Sequence, residues 1–105
     1  FHALDALDWS HDYEFVPYWR QTAVQLPDGV VASFYMDRRK ARTLAVMMNM
    51  NDAPVNLSAQ LQLDALGVPT TSRARDILHE QPCRIDAGTL TVSIPAKTFR
   101  AILME

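Results

Sequence analysis

The stretch Arg42–Leu63, RTLAVMMNMNDAPVNLSAQLQL, decides the fold. Its second half alternates: Val55, Leu57, Ala59, Leu61 and Leu63 share one parity, and Asn56, Ser58, Gln60 and Gln62 share the other. A period of two sends successive side chains to opposite sides of a sheet. This half therefore predicts a strand with one buried face and one wet face. The first half, Leu44 to Met50, is apolar on both parities, which predicts a central strand covered on both sides. Between the halves, Asn51-Asp52-Ala53-Pro54 supplies turn chemistry: Asn and Asp bond nearby backbone, and Pro54 has no N–H to give a ladder. The expectation is a hairpin whose apolar face needs a second layer.

The same rhythm runs outward from this stretch. Upstream, Thr22–Leu26 has strand composition, Pro27-Asp28-Gly29 predicts a tight turn with Gly29 at positive φ, and Val30–Met36 predicts the returning strand. Asp37–Arg42 is a charged loop. Downstream, Asp64-Ala65-Leu66-Gly67 predicts one helical turn, capped by Asp64 and ended by Gly67. Ser72–Leu78, Cys83–Asp86, Thr89–Ile94 and Thr98–Met104 follow as strands, with turns at His79–Pro82, Ala87-Gly88 and Pro95–Lys97. About eight short strands spaced by turn residues predict an all-β chain, an antiparallel β-sandwich of Ig-like or similar Greek-key type. No helical pattern alternates with them, so a parallel α/β sheet is disfavoured.

The totals agree with one globular domain. At 105 residues with 49% hydrophobic and 21% charged side chains, the chain can bury a core and is unlike a disordered segment. A net charge of −2 gives no bulk positive field, so nucleic acid is not an expected partner. No apolar run reaches the roughly 20 residues of a membrane span. The single cysteine, Cys83, sits in a predicted strand as a free thiol. Residues 1–14, FHALDALDWSHDYE, read as a linker from an upstream domain, and 15–105 as the sandwich. The chain is thus expected to be the tail of a longer polypeptide.

Three groups of side chains invite chemistry. Trp9, Tyr13, Phe15, Tyr18 and Trp19, with Arg20 beside them, form an aromatic segment. Such rings stack on sugars, and they equally suit a seam against another domain, being large, apolar and tipped with one polar group. The seam is favoured. Trp9, Tyr18, Trp19 and Arg20 are therefore the candidate domain-interface or carbohydrate residues. Arg38-Arg39-Lys40 with Arg42 is the one basic cluster, and without a glycine cradle or helix N-terminus it reads as a solvated hairpin tip.

Asp76, His79 and Glu80 lie close in sequence, but His2 and His11 show no ligand spacing with them, so no metal is expected. Asp76 reads more simply as a turn-stabilising carboxylate. G-x-S-x-G, P-loop and H-E-x-x-H patterns are lacking, and neither a catalytic residue nor a cofactor is assigned. Asn56-Leu57-Ser58 matches a glycosylation sequon, a short pattern that also arises by chance.

Taken together, ARTLAVMMNMNDAPVNLSAQLQLDALGVP, SRARDILHEQP and GTLTVSIPAKTFRAILME resemble the C-terminal β-sandwich domain that follows the catalytic barrel in many glycoside hydrolases. The marks are a strand ending in Asn49, an Asp76-Ile77-Leu78 element, and a final strand carrying Pro95, Thr98, Arg100 and Ile102. FVPYWR resembles the lead-in to this domain in a poorly characterised group related to glycoside hydrolase family 123. The resemblance covers about residues 15 to 105 and implies an accessory role, with the catalytic acids on an upstream barrel. That barrel is then the expected partner, and an extracytoplasmic location follows from the resemblance alone. The rival expectations are a carbohydrate-binding module, with an oligosaccharide as partner, and an Ig-like adhesion domain.

Overall fold

The computed structural model describes residues 13–105. Among them are eight strands: β1 (Glu14–Val16), β2 (Val30–Asp37), β3 (Arg42–Asn49), β4 (Val55–Gln60), β5 (Ala74–Asp76), β6 (Cys83–Asp86), β7 (Thr89–Ile94) and β8 (Thr98–Met104). They form two antiparallel sheets, five-stranded in the order β1-β2-β3-β8-β5 and three-stranded in the order β4-β7-β6. The chain is an all-β sandwich. The expected lower boundary of the sandwich at residue 15 falls inside β1, whose first residue, Glu14, pairs with Met36.

The expected hairpin between the two halves of the central stretch does not form. β3 lies between β2 and β8 in the larger sheet, whereas β4 pairs with β7 in the smaller one. The two halves face each other across the core instead, with Ala45 and Met47 of β3 in one buried cluster with Leu57 and Ala59 of β4. The second layer demanded by the alternating half is supplied by the half before it. Asn49 holds the corner between them. It is fully buried, and its Nδ2 donates to Ala53 O at 2.9 Å and Ile94 O at 3.1 Å, while its Oδ1 accepts from Asn51 N at 3.0 Å. A side chain that bonds both the turn and β7 carries the backbone from one sheet to the other.

Thr22–Leu26 is not a strand either. Gln21 satisfies that segment locally, Nε2 donating to Val24 O at 3.0 Å and Oε1 accepting from Val24 N at 3.1 Å. Ala23 O accepts one rung from Gln62 N at 2.9 Å, and Ala23 and Val24 are buried in the core. The eighth strand is β1, three residues long and too short to show a period. Pro17 turns the chain: its carbonyl accepts from Arg20 N at 2.9 Å and Gln21 N at 3.2 Å, folding the chain back after β1.

The remaining turns follow their residues. Gly29 has φ +80° ahead of β2, and Ala87 (+50°) and Gly88 (+83°) turn β6 into β7, the left-handed pair a two-residue hairpin requires. Asp64–Gly67 is a single turn closed by Leu66 N to Gln62 O and Gly67 N to Asp64 O, both 3.1 Å, with Gly67 at φ +73°.

Candidate functional site

The five-stranded sheet has an apolar outer face as well as an apolar inner one. Phe34 and Met36 of β2, Ala45 and Met47 of β3, and Ile102 and Met104 of β8 point into the sandwich. Their neighbours of opposite parity, Tyr35, Leu44, Val46, Ala101 and Leu103, point away from it. At the centre of that outer face Leu44, Ala101 and Leu103 are fully buried in a second cluster, with Tyr35, Val46 and Ile77 against it. At its margins Phe15 and Met48 are exposed.

The aromatic segment is gathered along one edge of this face. Register places Phe15 of β1 opposite Tyr35 of β2, and their rings lie 4.7 Å apart, tilted by 32°. The Tyr13 ring also meets Tyr35, at 5.8 Å and tilted by 48°. Burial, then the neighbouring Tyr13, pushes the Tyr35 hydroxyl above its ordinary pKa.

Beyond the turn at Pro17, Tyr18 N donates to Ser33 Oγ at 3.0 Å, which pins the turn beside the outer side of β2. Tyr18 and Trp19 then pack edge to face at 5.0 Å and 88°. Trp19 is 69% exposed and Tyr18 49%. Arg20 is exposed at the end of the same turn. Of the candidate residues, Tyr18, Trp19 and Arg20 are thus neighbours in one turn, while Trp9 lies outside the described residues. Sequence reading missed Tyr35 and Ser33, which belong to this edge through the β1–β2 pairing; the alternation of β2 was the signal available for them.

The other two groups are built into the framework. Arg42 Nε lies 3.3 Å from Asp37 Oδ2, a buried pair at the base of the β2–β3 turn, and Arg38 Nη2 reaches Glu14 Oε2 of β1 at 3.5 Å. Asp76 Oδ1 accepts from Leu78 N at 3.0 Å and His79 N at 2.9 Å, which is the turn-stabilising role its position suggested. His79 Nδ1 stands 3.9 Å from the same oxygen. Among the described residues, no three His, Cys, Asp or Glu side chains converge on a metal position.

Cys83 is a half-buried free thiol in β6. Burial, then the charge of Asp76, raises its pKa against the smaller pull of a backbone hydrogen bond at Asp76. An open groove of about 570 Å³ between the end of β4 and the β6–β7 turn is lined by Gln60, Gln62, Asp64 and Thr70, away from the aromatic edge. Asn56 and Ser58 of the sequon are both exposed on β4. No helix among the described residues is long and apolar enough to cross a membrane.

Compared with protein-family models, with curated proteins and with solved structures, the chain matches none.

Proposed function

We propose that this chain is a non-catalytic accessory domain that docks on another folded body through the exposed apolar margins of the outer face of its five-stranded sheet. The resemblance to C-terminal sandwiches of glycoside hydrolases makes a catalytic barrel of the same polypeptide the preferred body. The supporting observation is the exposure of large apolar side chains at those margins, Phe15, Tyr18, Trp19 and Met48, around a centre the chain already buries. An outer face normally meets water and alternates toward polar residues, whereas a face that meets a second layer stays apolar.

The rival carbohydrate-binding reading draws support from the exposure of Trp19. Ring geometry weighs against it. A sugar platform offers ring faces in one plane, but Trp19 stands at 88° to Tyr18, so one ring presents its edge where the other presents its face. Titrating soluble oligosaccharides while following tryptophan fluorescence separates the two readings. The docking reading expects a flat titration. A saturable change that Trp19→Ala removes would favour the sugar platform.

A further inference from the structure

The two sheets have outer faces of opposite character. On the three-stranded sheet, Ser58 of β4, Thr91 and Ser93 of β7 and Arg84 of β6 point outward and are exposed, although β7 is the central strand. That is the exposure an uncovered sheet face gives. On the five-stranded sheet the outward residues of the central strands are closed off instead. Leu44 and Ala101 are 0% exposed, Leu103 is buried with them, and the buried pair Asp37 and Arg42 stands on the same face by parity. Side chains stand roughly upright on a sheet, so neighbours on the same face hide their flanks and leave their tips open. Complete burial of the tip needs a layer above it.

The described residues do not supply that layer. The described apolar side chains packed against Leu44, Ala101 and Leu103 are Tyr35, Val46 and Ile77, which belong to the same face or directly follow β5. The burial holds within a single chain, so no second copy is required. Its pattern says where the layer lies. Burial is complete beside the β2–β3 turn, at Leu44, Leu103 and Asp37, and fails at the far end of β3, where Met48 is 42% exposed. Tyr13, to which residue 12 is joined, stands at the covered end: Glu14 pairs with Met36, one residue before Asp37, and the Tyr13 ring meets Tyr35.

We infer that residues 1–12, FHALDALDWSHD, cross this face as its outer layer and cover Leu44, Ala101 and Leu103 with apolar side chains drawn from Phe1, Leu4, Leu7 and Trp9. The reach suffices. β8 is the third strand from β1, about 14 Å away at the usual strand spacing. Twelve residues span about 18 Å at a helical rise and about 40 Å when extended. Charge agrees as well: Asp5, Asp8 and Asp12 bring negative charge to the end of the face whose turn carries Arg38, Arg39 and Lys40. Residues 1–12 then belong to the sandwich and not to a linker. The apolar surface left for a docking partner is that of Phe15, Tyr18, Trp19 and Met48. This layer is independent of the docking reading.

Methyl NOE spectroscopy on the whole chain tests the inference. The methyls of Leu44 and Leu103 should show cross-peaks to side-chain protons of Phe1, Leu4, Leu7 or Trp9. In a mixture of labelled and unlabelled chains, filtered spectra should place those cross-peaks within one molecule. A soluble gadolinium chelate should broaden the Met48 methyl strongly and those of Leu44 and Leu103 little. Leu4→Asp combined with Leu7→Asp should remove that protection, while the amide shifts of Thr91 and Ser93 on the uncovered sheet stay unchanged. The measurements on the unaltered chain decide the matter even if this variant fails to fold. Trp19→Ala, which tests docking, should leave the cross-peaks in place, so the two readings fail separately. Spectra without cross-peaks to residues 1–12 overturn the inference, as do cross-peaks that arise only between chains. So do Leu44 and Leu103 methyls broadened as strongly as that of Met48, or protection that persists in the folded double variant.

Discussion

Arg100 Nε lies 3.6 Å from Asp76 Oδ2 inside the sandwich, and both side chains are almost wholly buried. The same Nε donates to Ser93 O at 3.2 Å, so one guanidinium ties β8 to β5 within its own sheet and to β7 in the other. Asp76 Oδ2 has no hydrogen-bond partner among the described residues, while Oδ1 is fully used in the following turn. Two residues that carried the sequence resemblance thus prove to be partners in space. A second such pair is Asn49 and Pro95, where Asn49 Nδ2 approaches Pro95 O at 3.3 Å. What these motif residues specify here is the joining of two sheets.

Removing one member of a buried charged pair leaves the other charge uncompensated, at a cost of about 3–5 kcal/mol. Asp76→Ala should reach this range, because it also strips the turn of its acceptor. Asp76→Asn keeps an acceptor for Leu78 N and His79 N and should cost less than Asp76→Ala. Urea unfolding of the two variants measures the difference. Equal costs would mean that the turn contributes nothing beyond the ion pair.

Asn49 should be as sensitive. Its amide satisfies carbonyls of Ala53 and Ile94 that lie where the chain changes sheets, and each buried group left without a partner costs about 1–3 kcal/mol. Asn49→Asp keeps the acceptor for Asn51 N but turns the donor into a second oxygen facing those carbonyls. It should therefore destabilise the chain at least as much as Asn49→Ala at neutral pH. An Asp variant more stable than the Ala variant would show that the donor is not what holds the corner.

Register in β4 is open to a paired test. Leu57 is 4% exposed in the core cluster, so Leu57→Ala should cost about 2–5 kcal/mol, the usual range for a buried large-to-small change. Asn56 is exposed on the opposite side, and Asn56→Ala should stay within about 0.5 kcal/mol when measured on dilute protein. Similar costs for the two would place the strand one residue out of register.

These sites also show what the sequence could and could not tell. β7 and β8 are legible to the residue, because Leu90, Val92 and Ile94 alternate cleanly and Pro95 interrupts the run before Thr98. Alternation reports which face a residue takes but not which strand lies beside it. That is why β3 and β4 read as neighbours while standing in opposite sheets. Thr22–Leu26 has strand composition, yet one glutamine side chain supplies the bonds that a neighbouring strand would otherwise give. The aromatic edge was visible only in its local half: Tyr18 and Trp19 are adjacent in sequence, whereas Ser33 and Tyr35 join them through pairing.

Cys83 gives a pH-dependent handle. Its thiol pKa is raised in the folded chain, first by burial and then by Asp76, so the folded state holds the proton to higher pH than the unfolded one. The stability linked to that proton is complete below the ordinary thiol pKa of about 8.5 and is lost as pH rises through the raised folded value. Iodoacetamide should therefore modify folded Cys83 more slowly than an unstructured thiol near pH 8. Cys83→Ser should flatten the alkaline fall in stability attributable to this residue. Alkylation as fast as that of a free peptide thiol would contradict the burial on which the shift rests.

The chain should not hydrolyse glycosides on its own. Hydrolysis of the usual kind needs two carboxyl groups flanking the bond, roughly 5–9.5 Å apart, one donating a proton and the other acting as base or nucleophile. Asp76 has no exposed side-chain surface, its Oδ1 is held by two backbone N–H groups, and its Oδ2 faces Arg100. It cannot reach a sugar without unfolding the turn it stabilises. Glu80, exposed in the loop that follows, is left without this residue as a second acid. A panel of chromogenic glycosides should give the buffer rate with the unaltered chain, with Asp76→Asn and with Glu80→Gln alike. Turnover that either substitution abolished, in protein whose unfolding curve stayed cooperative, would make this chain catalytic and overturn the accessory reading.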